Sequence, residues 1–271
     1  MAIKKEESRK DRIFSIIVES YIETAEPVGS RAISKRSDLG LSSASIRNVM
    51  ADLEERGLLT HPHTSAGRVP TDRGYRYYVD HLMEPHELTD REKTWVVSQI
   101  QNVRTVEALA DKVSKIISAL TENAAMIYVK NLKRVSFLTH LLEELIEAEK
   151  IADFFEEDSE LFIEGIFRIF DQPEFRDSRK ISHLLRAFDR KDDFLEILAR
   201  DLASVGVQVH IGSENPDDKL ENLSLVVKDY YLHDVPVGGI AVIGPTRMKY
   251  PKVVSVVSFV ADTVSEAVNR Y

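Results

Sequence analysis

The chain has 271 residues, 43% hydrophobic and 30% charged, with a formal net charge of −9 at pH 7 and no cysteine. That composition reads as a soluble, globular protein of about two domains, and it excludes disulfides, thiolate catalysis and cysteine metal sites. No apolar run approaches the roughly 18 residues of a membrane helix, and the opening MAIKKEESRK has no apolar core of a secretory signal, so a cytoplasmic protein with no membrane partner is expected. Net acidity argues at first against a nucleic-acid binder, but the stretch Met1–Met83 is close to neutral and the excess carboxylates lie beyond it. The first part can therefore carry a basic face.

In DRIFSIIVESYI, Ile13, Ile16, Ile17 and Tyr21 keep helical spacing, which predicts a first helix from about Ser8 to Thr24. Glu26-Pro27 ends it, because the residue before proline avoids helical angles. VGSRAISKR predicts a short second helix with Ser30 as N-cap and Ala32 and Ile33 on its buried side. After the turn SDLGLS, SSASIRNVMADLEERGLL predicts a third helix, capped at Ser42 or Ser43 and closed by Gly57. Its core stripe is Ile46, Val49, Met50 and Leu53, which leaves Ala44, Arg47, Asn48 and Ala51 outside.

Three short helices with a tight turn before the third outline a helix-turn-helix, whose last helix enters the DNA major groove. Arg47 suits guanine and Asn48 adenine, Ser43 and Ser45 can meet phosphate or base, and the short Ala44 lets the helix seat deeply. The bland alternative is a surface helix carrying one Arg and one Asn. LLTHPHTSAGRVPT then predicts a hairpin, with strand 58–61, loop 62–67 and strand 68–70, and Pro70 suits only an edge strand. Such a wing places Thr64, Ser65 and Arg68 near phosphates or a narrow minor groove, joined by Ser30, Arg31, Lys35, Arg36 and Arg73. Tyr75, Tyr78, Val79 and Leu82 form a stripe on a closing helix capped at Thr71 or Asp72, its tyrosines read as core rather than base-stacking platforms.

YIETAEPVGSRAISKR, LSSASIRNVMADLEERGLL and HPHTSAGRVPTDRGYRYYVD closely resemble the N-terminal domain of the HrcA family, bacterial heat-inducible transcription repressors. The similarity is nearly continuous from Ile13 to Asp80.

Further along, LTDREKTWVVSQIQNV opens with a capping box, Thr89 to Glu92. A following helix, about Val106 to Leu120, aligns Leu109, Val113, Ile116, Ile117 and Leu120 as a connector or dimer seam. AAMIYV reads as a buried strand, and the acidic, apolar segment to Ile166 as helix, turn and a short extended piece. Helices are expected at Ser178–Phe188 and Asp192–Ser204. VGVQVHIGSEN reads as a strand ending in a glycine turn, and LSLVVKDYYL, HDVP and VGGIAVIGP as strand, turn and strand. YPKVVSVVSFVADTVSEAVNR reads as a helix, because Val253, Val256, Val257, Val260, Val264 and Val268 keep helical spacing although valine favours strands. The class is α+β with a small, mostly antiparallel sheet.

VHIGSENP and GGIAVIGPTRMKYPKVVSVV again resemble HrcA, at the end of its GAF-like domain. The resemblance implies a winged helix-turn-helix over 1–83, a helical connector over 84–122 and a GAF-like regulatory domain over 123–271. It further implies a homodimeric repressor of chaperone genes on an inverted-repeat operator of double-stranded DNA, and dependence on the chaperonin. The alternative is a winged-helix regulator whose GAF-like domain answers a small ligand. Family chains are longer, with further strands and an inserted dimerisation subdomain in the middle, and Lys130–Glu160 is too short to hold them.

Gly244-Pro245-Thr246-Arg247 before a helix offers an anion site through backbone amides; the alternative is a turn with Arg247 in a structural ion pair. His61, His63, His81 and His86 invite a metal hypothesis, but the spacing of a zinc site is missing, and no metal or cofactor is expected. No nucleophile is paired with a base, and acidic runs are usually solvated faces, so an enzyme is not expected. A winged helix used only for protein contacts would more often carry Glu or Lys where Arg47 and Asn48 stand.

Overall fold

A computed structural model describes residues 2–36, 40–63, 66–101, 103, 105–130, 159–175, 205–215 and 220–270. Helix α1 spans Ala2–Thr24. It begins six residues before the expected start, because the apolar stripe begins at Ile13 while the lysines and glutamates ahead of it are good helix formers. It stops where expected: Ala25 turns left-handed (φ 55°) while its N–H still reaches the Tyr21 carbonyl at 2.9 Å, which closes the helix.

Helix α2 spans Ser30–Arg36. The Gly29 carbonyl accepts from Ala32 and Ile33, so Gly29 holds the cap position and Ser30 is the first helical residue. Ile33 is buried but Ala32 is exposed, contrary to expectation. A two-turn helix meets the core over one narrow stripe, and the next residue points about 100° away. Helix α3 spans Ser43–Glu55, with Ser42 Oγ accepting from the Ser45 N–H and Ile46, Met50 and Leu53 buried. Gly57 follows in the left-handed region (φ 71°).

Strands β1 (Leu59–Thr60) and β2 (Val69–Pro70) pair antiparallel and are shorter than expected. A single bridge extends this ladder on its other side: Val28 and Arg68 exchange two backbone hydrogen bonds of 2.9 Å. Pro70 would point its missing N–H to that same side, one residue pair past the bridge, so nothing is lost there. Helix α4 (Asp72–Tyr77), capped by Thr71, runs into a π-helical turn at Tyr78–Leu82. A Cβ at Gly74 would lie 2.2 Å from the Leu58 carbonyl oxygen, so only glycine lets α4 rest against the hairpin.

Helix α5 (Asp90–Ile100) carries the expected capping box, and α6 (Val106–Thr121) buries Leu109, Val113, Ile116 and Ile117. The remaining strands are β3 (Ala124–Lys130), β4 (Ser159–Glu164), β5 (Gln208–Ile211), β6 (Leu223–Leu232) and β7 (Val235–Pro245). They form one sheet in the order β4-β3-β7-β6-β5, antiparallel throughout. His233 and Asp234, both at positive φ, make the tight turn between β6 and β7.

Alternation along the strands gives the sheet two buried faces. Ala125, Ile127, Val129, Ile240 and Val242 join the larger core under α6 and the final helix α8 (Tyr250–Val268). Ala124, Met126, Tyr128, Ala241 and Ile243 face a second core with Ile169 of α7 (Ile166–Phe170) and Phe175. The apolar stripe of α6 is thus spent on the chain's own core. The helices expected at Ser178–Phe188 and Asp192–Ser204, and the one ahead of β4, lie outside the described residues.

The larger core is continuous from α1 to α8, and the N-terminal unit is fastened to the sheet domain. Tyr75 packs on Tyr250 with ring centroids 5.8 Å apart. Arg76 donates to Glu214 (2.9 Å from Nε), to Asp80 and to the Val209 carbonyl on edge strand β5. The Ser213 N–H donates to Asp72 at 2.9 Å. Arg247 donates to Glu174, to Gln172 and to the Ile22 carbonyl, which sits in the last turn of α1 where the helix itself supplies no donor.

Glu214 yields a pH prediction. Partial burial alone would raise its pKa, but the Arg76 guanidinium and the Ile211 N–H outweigh that and hold it below 4.5. A carboxylate depressed in this way stabilises the fold fully above its unfolded value and loses that contribution as pH falls through the folded one. The melting-temperature difference between the native chain and Arg76→Gln should therefore be constant above about pH 4.5 and shrink below it. A difference independent of pH down to 3 would show that Glu214 is not the group that Arg76 holds.

Candidate nucleic-acid interface

Buried residues on one side of α3 force the others outward. Ala44, Ser45, Arg47, Asn48 and Ala51 are exposed along one face, and Ser43 is half-buried at its start. The Ser45 hydroxyl lies 3.1 Å from that of Ser42. From α2, Arg31 and Lys35 are exposed, Ser30 is half-buried, and Arg36 ends the helix. Arg73 is exposed at the start of α4, its guanidinium against Gly57. Thr64 and Ser65 lie outside the described residues.

The acids of this unit are largely engaged elsewhere. Lys10 pairs with Asp52 at 2.6 Å, Tyr77 donates to Asp11, and Asp72 takes the Ser213 N–H. Arg31, Lys35, Arg47 and Arg73 form a set of exposed cations without an ion pair among the described residues. Arg56 is engaged instead over the Tyr77 ring (5.5 Å).

Arg68 sits differently from the sequence expectation. Its side chain is half-buried and its Nε donates to Glu54 Oε2 at 2.7 Å, while Glu54 Oε1 lies 2.6 Å from His61 Nδ1. Partial burial would raise the Glu54 pKa, but His61 and Arg68 together hold it below the ordinary carboxylate value. Sequence reading passed over Glu54. A signal existed, because the last turn of α3 carries acids and no base, and a carboxylate at the negative end of a helix is unfavourable unless something pays it back.

At the turn before α8, Arg247 is engaged with Glu174, Gln172 and Ile22, so the ion-pair reading holds there. His81 meets the Tyr77 ring edge-on (4.9 Å), and no three His, Asp or Glu side chains converge on a metal position among the described residues. A depression between α6 and the end of α8 is lined by Val106, Leu109, Val113, Ile240 and Val264, with Tyr230 as its polar-tipped member. That hydroxyl is turned to the Tyr128 carbonyl (3.0 Å).

Residues 136–254 match the model of the HrcA protein C-terminal domain. The heat-inducible transcription repressor HrcA of Carboxydothermus hydrogenoformans is 32% identical, over 97% of this chain and 98% of that protein. Its counterpart in Geobacter sulfurreducens is 32% identical over 95% and 96%. The first alignment runs over 338 positions against 271 residues here, so that relative carries a stretch without counterpart in this chain. A crystal structure of a protein described only as hypothetical superposes over 97% of this chain and 98% of that one, with a TM-score of 0.71 at 20% identity. This last likeness concerns the fold alone.

Proposed function

Because this chain belongs to the HrcA family of heat-inducible transcription repressors, we propose that its residues 1–83 form a winged helix-turn-helix that reads operator DNA, joined through 84–122 to a GAF-like regulatory domain over 123–271. The observation that carries the reading is the exposed face of α3, where Ala44, Ser45, Arg47 and Asn48 stand clear beside a buried Ile46. In the major groove Arg47 donates bidentately to guanine and Asn48 pairs with adenine. Ser43 and Ser45 supply shorter contacts, and Ala44 admits the helix to depth. Ser30, Arg31, Lys35, Arg36, Arg73 and the wing tip at Thr64 and Ser65 meet the phosphates, which fix register without reading sequence.

One such unit spans few base pairs, so a homodimer on an inverted repeat supplies useful affinity. The operator lies before chaperone genes, the chaperonin is the protein partner, and the repressor works in the cytoplasm on the nucleoid. The shortened middle means that dimer contacts come from elements other than the family's inserted subdomain. No catalytic role is assigned.

A shift assay at fixed salt, with the inverted repeat, a single half-site and a scrambled duplex, tests this. Selective binding of the full repeat is expected, with affinity falling as salt rises; equal weak binding to all three would remove the operator assignment. In the same assay Arg47→Ala should cost about 1–3 kcal/mol and relax preference at one base position. A uniform loss across all duplexes would instead make Arg47 a phosphate contact.

A further inference from the structure

The hairpin after α3 has no length of its own to fix its direction. β1 and β2 contribute two residue pairs, and a short two-stranded ribbon is marginal in water. Besides the Leu58 N–H donating to the Leu53 carbonyl at 3.0 Å, one carboxylate ties it to the reading helix. Glu54, in the last turn of α3, places one oxygen 2.6 Å from His61 Nδ1 and the other 2.7 Å from Arg68 Nε. His61 directly follows β1 and Arg68 directly precedes β2, so the two bonds clasp the hairpin at the point where its loop begins and ends. Arg68 is pinned a second time through its backbone exchange with Val28, on the approach to α2.

We infer that Glu54 is a positioning residue for operator binding: it holds the wing at a fixed angle to α3 through His61 and Arg68, and Arg68 serves this brace rather than acting as an independent phosphate contact. The inference rests on the DNA-binding reading above. It makes a prediction of unusual sign. A carboxylate that merely stands near a polyanion repels it, so removing that carboxylate should strengthen binding to every duplex. If Glu54 braces the wing, removing it should weaken the operator complex.

The test is a shift assay with the full-length chain on the family's inverted repeat and on a scrambled duplex, at one salt concentration. Glu54→Ala should lower operator affinity by about tenfold, the order expected for a lost charge-assisted hydrogen bond. Alanine suits a helix end where glutamate is disfavoured by the macrodipole, so the thermal midpoint should stay near that of the native chain. Should Glu54→Ala fold poorly, Glu54→Gln keeps the side-chain volume and is expected to lose affinity in the same direction. Operator affinity that is unchanged or higher in the folded variant overturns the inference. A double-mutant cycle with Arg68→Gln adds a readout of coupling. With a brace, Arg68→Gln costs little more once Glu54 is gone; with an independent phosphate contact the two losses add, and that too overturns it. A native chain without operator preference fails the DNA-binding reading itself, and this inference with it, whereas a native chain that binds and variants that do not lose affinity fail the brace alone.

Discussion

Arg247→Met is expected to lower the stability of the chain by about 3 kcal/mol, the lower end of the range for breaking an enclosed ion pair. In a protein of this size that is a fall of roughly 6–12 °C in melting temperature. The Arg247 side chain is 11% exposed and that of its partner Glu174 23%, so the abandoned carboxylate keeps some access to water, which is why the upper end of the range is not expected. Methionine fills the space of the aliphatic stem but leaves three acceptors without a donor: Glu174, Gln172 and the Ile22 carbonyl at the end of α1. The second substitution Glu174→Met in the same chain should recover a large part of the loss, because a paired charge replaced by apolar packing is often close to neutral. Calorimetry on the single and double variants decides the matter. Equal losses in both would show that the contact with Ile22, not the ion pair, is what Arg247 supplies.

Tyr250→Ala should cost about 3–5 kcal/mol, as for other large-to-small changes at fully buried aromatic positions. The side chain is 0% exposed, packs on Tyr75, and its hydroxyl lies 2.8 Å from Ser224 Oγ. Burial raises the pKa of both tyrosines above their ordinary value, so both stay neutral. The Tyr75 hydroxyl has no hydrogen-bond partner among the described residues, which makes Tyr75→Phe the informative companion. It should be neutral or slightly stabilising, since it removes an unsatisfied polar group from the interior. Denaturant unfolding of the two variants is the measurement, and a loss below 1 kcal/mol for Tyr250→Ala would mean that the neighbouring side chains collapse into the space.

Local chemistry made much of this fold readable. The cap at Ser42, one of the two serines expected, the left-handed Gly57 and the capping box at Thr89 each depend on a few adjacent residues and stand where the sequence placed them. The turn read over HDVP narrows to His233-Asp234, because Val235 and Pro236 join β7. The valine-rich α8 was readable by spacing against propensity, because burial of Val253, Val256, Val257, Val260 and Val264 repays the loss of side-chain freedom. The exposed face of α3 followed from the same periodicity. Arg68 was not readable in this way, since its partner Glu54 is 14 residues earlier and no period links them. Nor were the fastenings of Arg76 and Arg247, whose partners lie up to 225 residues away. Sequence patterns report which face of an element is buried, but not which other element buries it.

The bond from Arg247 back to Ile22 also sets an order of events during synthesis. A ribosome makes chains from the N-terminus at about 5–20 residues per second, so α1 and α4 are complete well before Tyr250 exists. Until then Tyr75 lacks the ring it packs on, and the contacts that finish this side are of the long-range kind that slow folding. A half-made chain can form α1 and α4, yet the segment that fastens them through Ile22 and Tyr75 is among the last to be translated.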